Sequence, residues 1–169
     1  FGYPIGKWDV SQVQDFSYVF CGDFNFYAND SVNGREELKF FNEDVGSWNV
    51  ANATNMEGMF QKAESFNKKL SDWNVSKVTN MHRMFSGAIE LNGCLSNWNV
   101  SRAADMTFMF TNARNFNGDL SAWDVSAVTN MSTMFAYAKV FQGDLAEWDV
   151  SNVTHMSEMF HGAEVFQGD

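Results

Sequence analysis

Residues 123–147 read WDVSAVTNMSTMFAYAKVFQGDLAE, and this stretch returns with changes along almost the whole chain. Trp48, Trp73, Trp98, Trp123 and Trp148 fall 25 residues apart, and Trp8 precedes Trp48 by 40, which is 25 plus 15. Val50, Val75, Val100, Val125 and Val150 follow each Trp by two residues. Phe60, Phe85, Phe110, Phe135 and Phe160 follow it by twelve. Self-similarity at a fixed period of this size is the mark of a solenoid, in which one supersecondary unit stacks on its copies.

Within the unit, Trp123 and Val125 alternate at period two, as in a short strand with one buried face. Ser126 and Thr129 carry side chains that accept a hydrogen bond from a free helix amide. Met131, Met134, Phe135, Ala138 and Phe141 then stand at offsets 0, 3, 4, 7 and 10, one face of a short helix. Gln142-Gly143-Asp144 permits a turn, and Leu145 re-enters the core. The reading is strand, helix and polar return, with a right-handed crossover that makes the sheet parallel.

One unit alone cannot hide this much apolar surface. A Trp buries roughly 200 Å², about 5 kcal/mol gross at ~25 cal/mol per Å², and only when neighbouring copies cover the ring. The Trp, Val, Met and Phe columns are therefore read as core. Helices near 10 Å across are wider than strands spaced ~4.8 Å, so the helical side is expected to splay and the sheet side to curve inward. The expected class is a curved α/β solenoid of about six 25-residue strand–helix repeats with a parallel sheet. A β-helix with little helix is the alternative, because the helical face spans barely three turns.

The string W-[ND]-V-S-x-V-T-N-M-x-x-M-F-x-x-A-x-x-F-x-x-x-L resembles the DUF285 repeat of BspA-type leucine-rich-repeat surface proteins. Residues 123–145 match it nearly position for position, and 148–166 match to the end of the repeat that is present. Residues 48–70 and 73–95 match with small changes. The unit from Trp98 departs at Arg102-Ala103-Ala104-Asp105, and the first departs most, with Phe16 and Val19 in the Met positions. The resemblance implies a leucine-rich-repeat-like architecture and a surface or secreted protein associated with adhesion and protein–protein contact. It carries no shared catalytic residues.

The 169 residues are read as a single solenoid domain, 1–169, with 17 Phe and one proline, Pro4. Phe1 to Ile5 (FGYPI) takes the place of Phe41 to Val45 (FNEDV), so the chain opens and closes mid-repeat without polar caps. It is therefore expected to be a segment of a longer array. A net charge of −10 disfavours nucleic acid and anionic membrane, and no run approaches the ~20 apolar residues of a spanning helix.

Between Phe20 and Phe41 lie 20 residues, where Phe60 and Phe66 enclose five. Residues 21–38 are accordingly a loop insertion in the first repeat, with turn signals at Asn29-Asp30 and Asn33-Gly34. Insertions in repeat arrays map to loops on one face, often a binding face. Phe24, Phe26 and Tyr27 either cap local core or anchor a partner. Of the Asn-x-Ser/Thr sequons at Asn29, Asn52, Asn74, Asn99, Asn130 and Asn152, the one at Asn29 is the candidate glycan acceptor.

Other chemistry is sparse. Cys21 and Cys94 lie two stacking steps apart, roughly 10 Å at strand spacing, beyond the ~7 Å reach of a disulfide unless the insertion brings them together. His82, His155 and His161 fall in different columns and are read as exposed helix or turn residues. Asp119 with Asp144, and Asp124 with Asp149, form partial acidic columns. These are solvated turns or, less simply, calcium ligands, and Asn49, Asn74 and Asn99 in the second column suit a side-chain ladder. Thr54, Thr79, Thr129 and Thr154 are read as caps. No catalytic residue, metal or cofactor is expected. The expected function is a non-catalytic module for protein–protein interaction or adhesion in an extracellular or cell-surface assembly. Its partners would be other proteins, copies of itself included. The alternative is a structural spacer within a larger, intracellular or organellar complex.

Overall fold

The computed structural model describes residues 4–22 and 36–167. Successive 25-residue units stack as coils in direct register. Isolated parallel bridges join Asp15 to Asn55, Asn55 to Asn80, Asn80 to Asp105, Asp105 to Asn130 and Asn130 to His155. The strand–helix expectation is overturned. Among the described residues there is no α-helix and no sheet, only 3-10 helices at Ile5–Lys7 and Glu36–Phe40 and single-residue bridges.

The segment expected to be helical is a run of tight turns. Met134 N–H donates to Met131 O, Ala136 to Thr133 O and Ala138 to Phe135 O, while Phe135 and Tyr137 donate instead to Met159 O and His161 O of the next coil. Amides thus alternate between closing a turn and reaching the neighbour. The same alternation runs through Met56 to Ala63, with Met56, Gly58, Phe60 and Lys62 donating to Asn80 O, His82 O, Met84 O and Ser86 O. Left-handed backbone at the third residue of a turn makes the zigzag possible. It occurs at Gly58 and Lys62, Arg83 and Gly87, Phe108 and Asn112, Thr133 and Tyr137, and Glu158 and Gly162, with φ between 54° and 75°.

Spacing explains why turns replace helix. Along the Phe column, ring centroids of Phe60, Phe85, Phe110, Phe135 and Phe160 are 5.6–5.7 Å apart. Packed helices need 8–10 Å between axes, so one helix per coil cannot be stacked at this repeat. The expected splaying is absent too. The Phe column, on the supposed helical side, is spaced more closely than the stacked Trp rings, 6.4 Å from Trp73 to Trp98 and from Trp98 to Trp123.

The core columns are those read from the periodicity. Val75, Val100 and Val125 are each 1% exposed, whereas Val150, in the last described coil, is 40% exposed. The neighbouring coil is what buries the column. Phe41, Phe66, Phe116 and Phe141 form a second aromatic column, with Phe66 and Phe141 stacked 4.0 and 4.2 Å from Phe60 and Phe135. Each buried indole has an acceptor in the preceding coil. Trp73, Trp98, Trp123 and Trp148 Nε1–H donate to the carbonyls of Val45, Leu70, Leu95 and Leu120 at 2.9–3.1 Å. Trp48 donates to Ile5 O at 2.9 Å, which realises the alignment of FGYPI with FNEDV.

Candidate functional site

The outward columns are built from turns held by side-chain oxygens. Asn74, Asn99, Asp124 and Asp149 each accept, through Oδ1, the backbone N–H two residues on. The second-column residues are therefore local turn formers, not the side-chain ladder suggested by their stacking. Asp119 and Asp144 do the same for Ser121 and Ala146. Ser126 N–H and hydroxyl serve the Asp124 carboxylate and cap no helix. Hydrogen bonds from Ser121 and Ser126 hold the Asp119 and Asp124 carboxyls below the usual carboxylate range.

A side-chain ladder does exist, in a different column. The backbone N–H groups of Asn67, Asn92, Asn117 and Gln142 donate to Oδ1 of Asn42, Asn67, Asn92 and Asn117 at 2.8–3.0 Å. The Thr column also ties coils together, since Thr79, Thr129 and Thr154 Oγ1 donate to Thr54 O, Ala104 O and Thr129 O.

The most chemically varied patch lies beside the bridge column. Tyr18 hydroxyl donates to Glu57 Oε1, and Asn80 Nδ2 donates to Glu57 Oε2 at 3.1 Å. Burial, and then the adjoining Glu57 carboxylate, push the Tyr18 phenol up. In the next coils His82 lies edge-on to Phe108 at 5.8 Å, and the Arg83 guanidinium sits 4.9 Å over the same ring. His82 Nδ1 stands 3.9 Å from Asp105 Oδ1, too far for a hydrogen bond. Partial burial alone would raise the Asp105 pKa. Its interactions with His82 and Thr107, whose N–H donates at 2.8 Å, outweigh that and hold it at about 2. Among the described residues, His82 Nδ1 and Thr107 Oγ1 are buried without a hydrogen-bond partner. These side chains can lock four successive coils together, but they do not form a nucleophile, base and orienting-group relay.

His82 thus departs from expectation. Its side chain is 22% exposed, and it faces a carboxylate 23 residues away in sequence. The signal was present in the period: positions nine and seven residues after successive Trp are neighbours. His161 Nε2 meets Tyr137 hydroxyl at 3.0 Å, and His155 Nδ1 meets Thr154 Oγ1 at 2.9 Å. Cys21 is buried and Cys94 exposed, and no disulfide joins them. Among the described residues, no group of three or more His, Cys, Asp or Glu is placed to hold a metal ion, and no helix is long and apolar enough to cross a membrane.

The insertion candidates Phe24, Phe26, Tyr27 and Asn29 lie outside the described residues. Its flanks keep register, with Gly22 N–H donating to Gln61 O and Phe41 stacked 3.9 Å from Phe20. Leu38 packs on the core, while Phe40 is 75% exposed at the insertion's exit. Phe40 escaped the sequence reading because it adjoins the column residue Phe41.

No curated protein and no solved structure matches the chain. The family model described as "Mycoplasma protein of unknown function, DUF285" matches residues 1–77, 32–117 and 94–169, and the chain belongs to that family.

Proposed function

We propose that this chain is a non-catalytic repeat module for protein–protein interaction or adhesion in an extracellular or cell-surface assembly, used as the BspA-type leucine-rich-repeat proteins it resembles are used. One observation carries the reading: the outward columns change chemistry from coil to coil over a core that does not. Four residues after each Trp stand Gln12, Asn52, Lys77, Arg102, Ala127 and Asn152, all exposed except the half-buried Asn52. Two residues earlier in each coil the position is Val throughout. Rigid scaffolds with varied outer positions bind through many modest contacts around a few anchors, and Phe40 at the insertion's exit is one such anchor.

The second reading, a structural spacer, is favoured by the continuous inter-coil hydrogen bonding. Photo-crosslinkers placed at Lys77, Arg102 and Phe40, followed by peptide mapping in the native source, separate the two. Interaction through these positions predicts links to a distinct protein, weakened by Arg102→Glu. Links confined to parts of the same polypeptide would sink the interaction reading and favour the spacer.

A further inference from the structure

The asparagine ladder contains two Asn-Gly steps, Asn92-Gly93 and Asn117-Gly118, whereas Asn42 and Asn67 precede Glu43 and Lys68. Asn92 and Asn117 are exposed. Their Oδ1 atoms accept the amides of Asn117 and Gln142 at 3.0 and 2.8 Å, and among the described residues neither Nδ2 nor the following glycine N–H has a hydrogen-bond partner. We propose that Asn92 and Asn117 are sites of spontaneous deamidation, which places carboxylates at two adjacent rungs of the ladder.

The Gly93 nitrogen gives its proton to a solvent base and attacks Asn92 Cγ. A C–N bond forms, the Cγ–Nδ2 bond breaks, and the side-chain nitrogen leaves as ammonia. Water then opens the resulting five-membered imide at either carbonyl, leaving an aspartyl or isoaspartyl residue. Without a Cβ, glycine lets its nitrogen approach most freely. The neighbouring coil contributes the less obvious part. A backbone N–H already aimed at Oδ1 is placed where negative charge grows as the nitrogen adds, as in an oxyanion hole. The amide nitrogen that must leave is held by nothing. Isoaspartate adds one carbon to the main chain, which moves the ladder oxygen away from Asn117 N–H and leaves that donor without its acceptor.

The test is incubation of the native protein at mildly alkaline pH beside a urea-unfolded sample, with peptide mapping by mass spectrometry and hydrogen exchange. The expected result is a gain of about one mass unit, the net exchange of ammonia for water, at Asn92 and Asn117 but not at Asn42 or Asn67. Conversion in the native sample is expected to be at least as fast as in the unfolded one, with loss of exchange protection at the Asn117 amide. Conversion that is slower in the native protein would overturn the proposal, because the ladder would then be restraining the side chain. Equal conversion at Asn67 would overturn it as well.

Discussion

Trp98 lies between the rings of Trp73 and Trp123, almost parallel to both, and donates its indole N–H to Leu70 O at 2.9 Å. Trp98→Ala is expected to cost about 3–5 kcal/mol, because it removes a buried ring and leaves a cavity. Trp98→Phe is expected to cost less, about 1–2 kcal/mol, from the lost indole hydrogen bond and ring volume, because the Leu70 carbonyl keeps the Trp73 N–H as a donor. Urea unfolding followed by fluorescence of the other tryptophans measures both. Asp105 is one contributor to the acid limb, beside the Asp119 and Asp124 carboxyls that Ser121 and Ser126 also hold low. Its folded pKa, about 2, lies below the ordinary Asp value near 3.9. Its contribution to stability is therefore complete above the unfolded value and is lost as pH falls through the folded one. Thermal melts between pH 6 and about 2 should show a fall that Asp105→Asn flattens; an unchanged profile would place the acid sensitivity elsewhere. The burial of Trp98 was legible from the 25-residue Trp column. The His82–Asp105 approach is implicit in the same period, but it is found only by comparing two different columns of successive coils.

At the scale of the element, the tandem turns carry a conformational cost that a helix would avoid. Thr133 and Phe108 hold φ of 61° and 60°, unusual for any side chain and most of all for a β-branched one. Thr133→Gly is expected to stabilise by about 1 kcal/mol, because it relieves the left-handed backbone at a β-branched residue. A helix at the same place would be weakened by that substitution, so the sign of the change decides between the two. Gly87 gives the converse test. Its φ is 75°, and a Cβ there would lie 3.1 Å from Lys62 Cγ, so Gly87→Ala is expected to destabilise. Both are read from shifts in the denaturation midpoint. The column of Gly22, Gly87, Asn112 and Gly162 is enriched in the residues that favour left-handed turns. That signal for a turn in place of a helix was present in the sequence, though Lys62 and Tyr137 in the same column obscure it.

Over the whole molecule, each coil contacts its neighbours through the same columns, so stability should approach a sum of coil and interface terms. Deleting residues 76–100, one full period, is expected to leave a folded chain with a lower unfolding enthalpy. Deleting residues 76–88 shifts every later column and is expected to abolish cooperative unfolding in calorimetry. Far-ultraviolet circular dichroism should lack the double minimum of an α-helical protein; a strong helical spectrum would contradict the turn architecture. The sequence by itself determined the period, the core columns, the register of stacking, the family and the place of the insertion, because each follows from which residues recur and at what spacing. Only the tertiary structure decided between helix and turn. Offsets of 0, 3, 4 and 7 are buried equally by either, and the choice depends on where the amides of Phe135 and Tyr137 find acceptors. Those acceptors, Met159 O and His161 O, belong to the next coil and come within reach only when the coils are stacked too closely for helices to fit.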